Sequence, residues 1–119
     1  MVTLNGVFNQ DIGGWNVSKV TSMYDMFANQ FNFNQNLNNW DTSSVTNMWA
    51  VFPLNFRNFN QPLYNWDLSS VNKTENMFHS AEKFNQDISG WTMSNVTDMG
   101  GMFYSASAFD PKHFGMGCI

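Results

Sequence analysis

Apolar side chains recur in fixed columns along this chain, about 25 residues apart. Phe8, Phe33, Phe59, Phe84 and Phe109 form one column; the first four are followed by Asn-Gln and the last by Asp110. Trp15, Trp40, Trp66 and Trp91 form a second, Val20, Val45, Val71 and Val96 a third, and Phe27, Phe52, Phe78 and Phe103 a fourth. Successive members of the first column lie 25, 26, 25 and 25 residues apart, and the extra residue falls between Phe52 and Phe59. A fixed period of this size marks a stacked array, because one copy cannot bury its apolar face alone. The expected organisation is a single solenoid domain over 1–119: a partial repeat at 1–7, full repeats at 8–32, 33–58, 59–83 and 84–108, and a terminal partial repeat at 109–119.

Each copy has two differently patterned halves. In the first, Ile12, Trp15 and Val17 are matched by Leu37, Trp40 and Thr42, by Leu63, Trp66 and Leu68, and by Ile88, Trp91 and Met93. A Trp and the residue two positions on share a face only in extended chain, which predicts a short strand. In the second half, Val20, Met23, Met26 and Phe27 recur at offsets of three, six and seven, which predicts one stripe of a helix. Ser18, Ser43, Ser69 and Ser94 precede the stripe and suit the helix N-cap. The expected fold class is therefore an α/β repeat, a right-handed solenoid with a short-stranded parallel sheet on one side and short helices on the other. Met116 falls in the Trp column and Cys118 in the Val17 column. That predicts a fifth strand over about 114–119, with Cys118 as a small core residue.

Composition narrows the function classes. Only 12% of residues are charged, yet 17% are aromatic, and that combination is not the signature of a disordered chain. The net charge of -4 and the scattered five Lys and Arg exclude the basic stripe that nucleic-acid binding needs. No apolar run is long enough to span a bilayer, and no signal peptide is visible at 1–7. One cysteine excludes an internal disulfide framework.

The repeat resembles the BspA-like bacterial surface-protein repeat, a relative of leucine-rich repeats. Residues 84–107 read FNQDISGWTMSNVTDMGGMFYSAS, and several columns agree in order with that family's pattern along nearly the whole chain. The resemblance implies a leucine-rich-repeat-like solenoid, a cell-surface or extracellular location, and an adhesion or interaction role without catalytic residues. The chain departs from the pattern in the loops after Phe27 and Phe52, and Thr74 replaces a Met of the stripe.

Candidate sites follow from the columns. Asn9, Asn34, Asn60 and Asn85 read as a structural ladder of stacked amides. Asn16, Asp41, Asp67 and Thr92 form a polar column on the expected sheet face. There Asp41 and Asp67 need either Ser and backbone donors or a cation, calcium being the oxygen-liking choice. His79 and His113 stand far apart and Cys118 is alone, so no metal set, nucleophile triad or cofactor is expected. The best binding candidates are apolar residues that the repeat does not require. Tyr24 and Trp49 occupy a column that continues as Glu75 and Gly100, and Phe31, Leu54 and Phe56 are extra apolar residues in the following loops. Together they would make one exposed contact patch, or else fold over the core.

The reading is a non-catalytic protein-interaction or surface-recognition module whose partner is another protein or a glycan. The alternative is a structural accessory subunit of a larger assembly, held through uncapped ends and the helical face, with end-to-end self-association as one route. Nothing in the residues calls for an enzyme or for direct membrane insertion.

Overall fold

The computed structural model describes residues 8–52 and 56–115. Over them the chain winds as a stack of coils, one per copy of the repeat. The Phe column fixes the register. Phe8 stacks on Phe33, Phe33 on Phe59, Phe59 on Phe84 and Phe84 on Phe109, with ring centroids 5.9–6.3 Å apart and planes within 13° of parallel. A second stack runs beside it through Phe27, Phe52, Phe78 and Phe103, at 5.4–6.0 Å. Stacked rings of this kind add to the area they bury. The indole column ties the coils by hydrogen bonds as well: the Nε1–H groups of Trp40, Trp66 and Trp91 donate to the backbone oxygens of Ile12, Leu37 and Leu63, each at 2.9 Å. A buried indole N–H needs such an acceptor, and the coil before supplies it.

The expected α/β solenoid with a parallel sheet and helices is overturned. Among the described residues there is no sheet and no α-helix, and the one regular element is a 3-10 helix over Pro111–Phe114. The physical reason lies in the backbone of the Met-Phe half. Asp25 and Asn29, Ala50, Asn76 and Ser80, and Gly101 and Ser105 all carry φ between 50° and 65°. A left-handed residue every fourth position stops an α-helix before it completes two turns. Tight turns replace it: Met26 N–H donates to Met23 O, Ala28 N–H to Asp25 O, and Gln30 N–H to Phe27 O. Consecutive turns also send every third or fourth side chain inward, so they imitate the spacing of a helix stripe. Asp, Asn and Gly tolerate the left-handed region best, and four of the seven positions hold one of them.

Parallel pairing does occur, but in the half expected to be helical. Isolated bridges link Ser22 to Asn47, Asn47 to Lys73 and Lys73 to Asp98. Around them the N–H groups of Met23 and Asp25 donate to Asn47 O and Trp49 O. Those of Thr74, Asn76, Phe78 and Ser80 donate to Asp98, Gly100, Met102 and Tyr104. The Trp half cannot become a strand because two turns use it up. Trp15 N–H bonds Ile12 O and Val20 N–H bonds Val17 O, and the same pair of turns closes in every later copy. One residue remains between them, far short of the roughly 5–6 of an ordinary strand.

Two substitutions in the repeat are absorbed locally. Thr74, standing where the other copies have Met, is fully buried, and its hydroxyl reaches Asp98 O at 3.4 Å. Phe56, in the loop of the 26-residue copy, is buried against Phe27, Phe33, Phe52 and Phe59.

Ahead of the expected fifth strand, most of which lies outside the described residues, Pro111–Phe114 folds into the 3-10 helix, with the Asp110 carboxylate accepting from Lys112 N–H at 2.9 Å. Proline has no N–H to offer a ladder and starts a helix readily. Phe114 turns inward and meets Phe103 edge-on, at 5.1 Å and 70°, and Ile88 N–H bonds His113 O. The edge-on Phe114 ring shields part of this end, where Phe103 and Phe109 stay half-buried. Gly115, at φ 74°, follows with its α-carbon against Ser89, where a β-carbon would clash with the Ser89 backbone. Met116 and Cys118 lie outside the described residues.

Candidate binding surface

The turns of the Met-Phe half decide which rings reach solvent. In each ladder segment Met23 and its equivalents point inward, and the next residue points out. Tyr24 and Trp49 hold that outward position. They stay 44% and 36% exposed and stack on one another at 4.8 Å with planes 11° apart. The column continues as Glu75 and Gly100, so the outer stack is two rings long. Backbone bonds hold the pair: Tyr24 N–H meets Ser22 Oγ and Trp49 N–H meets Asn47 Oδ1.

Of the five residues expected to make one patch or else fold over the core, one folds over the core. Phe56 is a core residue and leaves the patch, which is a correction to its reading as a contact residue. Leu54 lies outside the described residues. Phe31 is exposed, at the rim of an open cleft of about 450 Å³ lined with Asn32, Arg57 and Asn58. The two walls of the cleft come from adjacent coils, joined by Asn58 Nδ2 donating to Phe31 O at 3.3 Å.

The polar column is built from turns. Asn16, Asp41 and Asp67 each accept the N–H of the residue two further on, Ser18, Ser43 and Ser69, at 2.9–3.0 Å. The Ser18 and Ser43 hydroxyls donate to the same oxygens, at 2.7 and 2.6 Å. The serines therefore donate to a side chain where they were expected to accept as helix N-caps. Hydrogen bonds from the Ser43 side chain and backbone hold the Asp41 carboxyl below its ordinary range, and Ser69 does the same for Asp67 against a small opposing effect of Asp41. Thr92 has no carboxamide or carboxylate to make this turn, and in its copy Asn95 instead donates to Ser69 O across the coils. Among the described residues no group of three or more His, Cys, Asp or Glu comes together to hold a metal.

The Asn ladder runs the length of the stack. Asn9, Asn34, Asn60 and Asn85 accept, through Oδ1, the N–H of Asn34, Asn60, Asn85 and Asp110 in the coil that follows, at 2.9–3.0 Å. Gln35, Gln61 and Gln86 each donate back to the preceding Asn. These amides fill the place of a backbone ladder where the chain turns and has none. Asp87 is held low by Ser89 in the same manner as Asp41, with a smaller contribution from His113. His79 Nδ1 lies 3.0 Å from Ser80 Oγ, and the His79 ring packs on Tyr104.

Three exposed rings escaped the sequence argument. Tyr64 and Tyr104 are more exposed than Tyr24, and Trp15 is 50% exposed although its column is buried in the later coils. Tyr64 stands where the other copies hold Gly13, Asn38 and Ser89, and Tyr104 stands where they hold Ala28 and His79. The rule that found Tyr24 and Trp49, an aromatic residue in a column that does not require one, also picks out both tyrosines. Trp15 stands in the first full copy, at one end of the described stack.

Compared with known proteins, residues 1–114 match the family described as Mycoplasma protein of unknown function, DUF285. No curated protein and no solved structure matches.

Proposed function

We propose, from the premise that the chain belongs to the DUF285 family of Mycoplasma proteins of unknown function, that it is a non-catalytic recognition module. Its contact surface is centred on Tyr24 and Trp49, and its partner is another protein or a glycan. The observation that carries the reading is the pair itself. Two large rings stack in solvent at a position that the other copies fill with Glu75 and Gly100. Rings that neither close the core nor repeat along the stack are available for contact. The resemblance to the BspA-like surface repeat supports an adhesion-like role. The absence of catalysis is part of the proposal: the carboxylates Asp41, Asp67 and Asp87 and the Asn amides serve turns and ladders.

The test is a protein and glycan binding screen run with the wild-type chain and with Tyr24→Ala combined with Trp49→Ala. A partner bound by the wild type and lost by the folded double variant is the expected result. A wild type that binds nothing, or a double variant that binds equally well, overturns it.

One observation favours the second reading, a structural accessory subunit. Trp15 is half-exposed where Trp40, Trp66 and Trp91 are buried, and Phe103 and Phe109 are only half-buried, so apolar rings at both ends of the described stack are open to contact. Sedimentation over a range of concentrations decides this: association weakened by Trp15→Ala supports it, and a clean monomer removes it.

A further inference from the structure

The cleft at Phe31 lies in the loop before the Phe-Asn-Gln turn, where the coils differ most in sequence. The position of Phe31 is filled by Arg57, Glu82 and Ser107 in the later copies. An aromatic ring and the only arginine of the chain thus line one cleft from the same column of adjacent coils. The walls are fixed. Asn58 Nδ2 bonds Phe31 O on one side, and Lys83 N–H bonds Arg57 O on the other. Phe31 is 43% exposed. Arg57 Nε stands 3.9 Å from Glu82 Oε1, with both side chains exposed. This is a loose ion pair in solvent, worth little, so a ligand carboxylate that binds the guanidinium fork directly can displace Glu82. The Asn58 amide uses one N–H on Phe31 O and retains a carbonyl and a second N–H.

We propose that this cleft is a subsite for a carboxylate-bearing sugar, a uronate or a related acidic saccharide. Phe31 takes the apolar face of the sugar ring, Asn58 takes hydroxyls, and Arg57 takes the carboxylate as a bidentate pair. The size agrees: about 450 Å³ has room for one or two sugar residues. The proposal rests on the recognition reading, but it is independent of the Tyr24–Trp49 pair.

The test follows backbone and side-chain NMR signals of the full chain during addition of D-glucuronate, D-glucose or an acetylated diglutamate peptide. Glucuronate is expected to shift the signals of Phe31, Arg57 and Asn58 saturably, and the other two probes to act far more weakly. Arg57→Gln is expected to lower glucuronate affinity about tenfold without changing the response to glucose, the loss of one charge-assisted bond. Phe31→Ala is expected to weaken both sugars, and Tyr24→Ala with Trp49→Ala neither. The absence of saturable shifts at the cleft, an equal response to the peptide, or unchanged glucuronate binding by Arg57→Gln would each overturn the proposal. A partner captured through Tyr24 and Trp49 while the cleft stays silent sinks the cleft alone. A saturating cleft with an empty binding screen upholds the cleft and removes the aromatic pair as a contact surface.

Discussion

The inner Phe column and the outer Tyr24–Trp49 pair are made of the same kind of contact. Both are near-parallel rings from successive coils, 4.8–6.3 Å apart. They differ in what surrounds them. The inner stack passes through Phe8, Phe33, Phe59, Phe84 and Phe109 and lies against a second Phe stack, so each interior ring meets apolar atoms on several sides. The outer pair has one ring contact and water around it. The period of the repeat can therefore carry a structural ladder inside and a short variable one outside, and only the second is free to change without loss of the fold.

The largest expected break in this contrast is Phe52→Ala. Phe52 is fully buried and touches Phe27, Phe56, Phe59, Trp66 and Phe78. Its truncation is expected to cost about 3–5 kcal/mol in a urea titration, enough to unfold a marginal domain. Asn60→Ala removes the acceptor of Asn85 N–H and a partner of Gln86, both at the surface, and is expected to cost about 0.5–1.5 kcal/mol. Trp49→Ala, on the outer pair, is expected to cost only about 0.5–1.5 kcal/mol by the same measurement. A loss as large as that of Phe52→Ala would place Trp49 in the core and erase the contrast. Ala50→Gly goes the other way. Ala50 sits at φ 50°, where the equivalent residue of the fourth copy is Gly101, and the change is expected to stabilise by up to about 1 kcal/mol.

The smallest effect is that of pH. The Asp41, Asp67 and Asp87 carboxyls are held below their ordinary value of 3.8 by serine hydrogen bonds. A depressed folded-state pKa means stability that is complete above the unfolded value and lost as pH falls through the folded one. Melting temperature is expected to be flat from neutral pH down to about 5 and to decline below about 4. Ser43→Ala is expected to lessen that decline, and an unchanged acid limb would remove the serine bonds as its cause.

The register of the coils was legible in the sequence, because the Phe and Trp columns that recur at 25 residues are those that stack. The path of the backbone between them was misread. Val20, Met23, Met26 and Phe27 satisfy a helix stripe, but tight turns joined by left-handed residues satisfy it equally. The discriminating signal was the polar or glycine residue at Asp25, Asn76 and Gly101, followed four positions later by Asn29, Ser80 and Ser105. The candidate surface was half legible. Tyr24 and Trp49 follow from their column, whereas Phe31 and Phe56 look alike in the sequence and end on opposite sides of the surface. That outcome depends on how the extra residue of the second copy is accommodated, and spacing alone does not encode it. Arg57 could not be singled out, because the role proposed for it depends on a neighbour 26 positions earlier, Phe31.

The central claim is that successive copies stack in register, each indole reaching back to the coil before it. Hydrogen exchange at the tryptophan Nε1–H groups reads this directly, since Trp40, Trp66 and Trp91 each donate to a carbonyl of the preceding coil. Those three are expected to exchange slowly, near the rate of global unfolding, while half-exposed Trp15 exchanges much faster. Rapid exchange at all four, or equal protection of Trp15, would contradict the account.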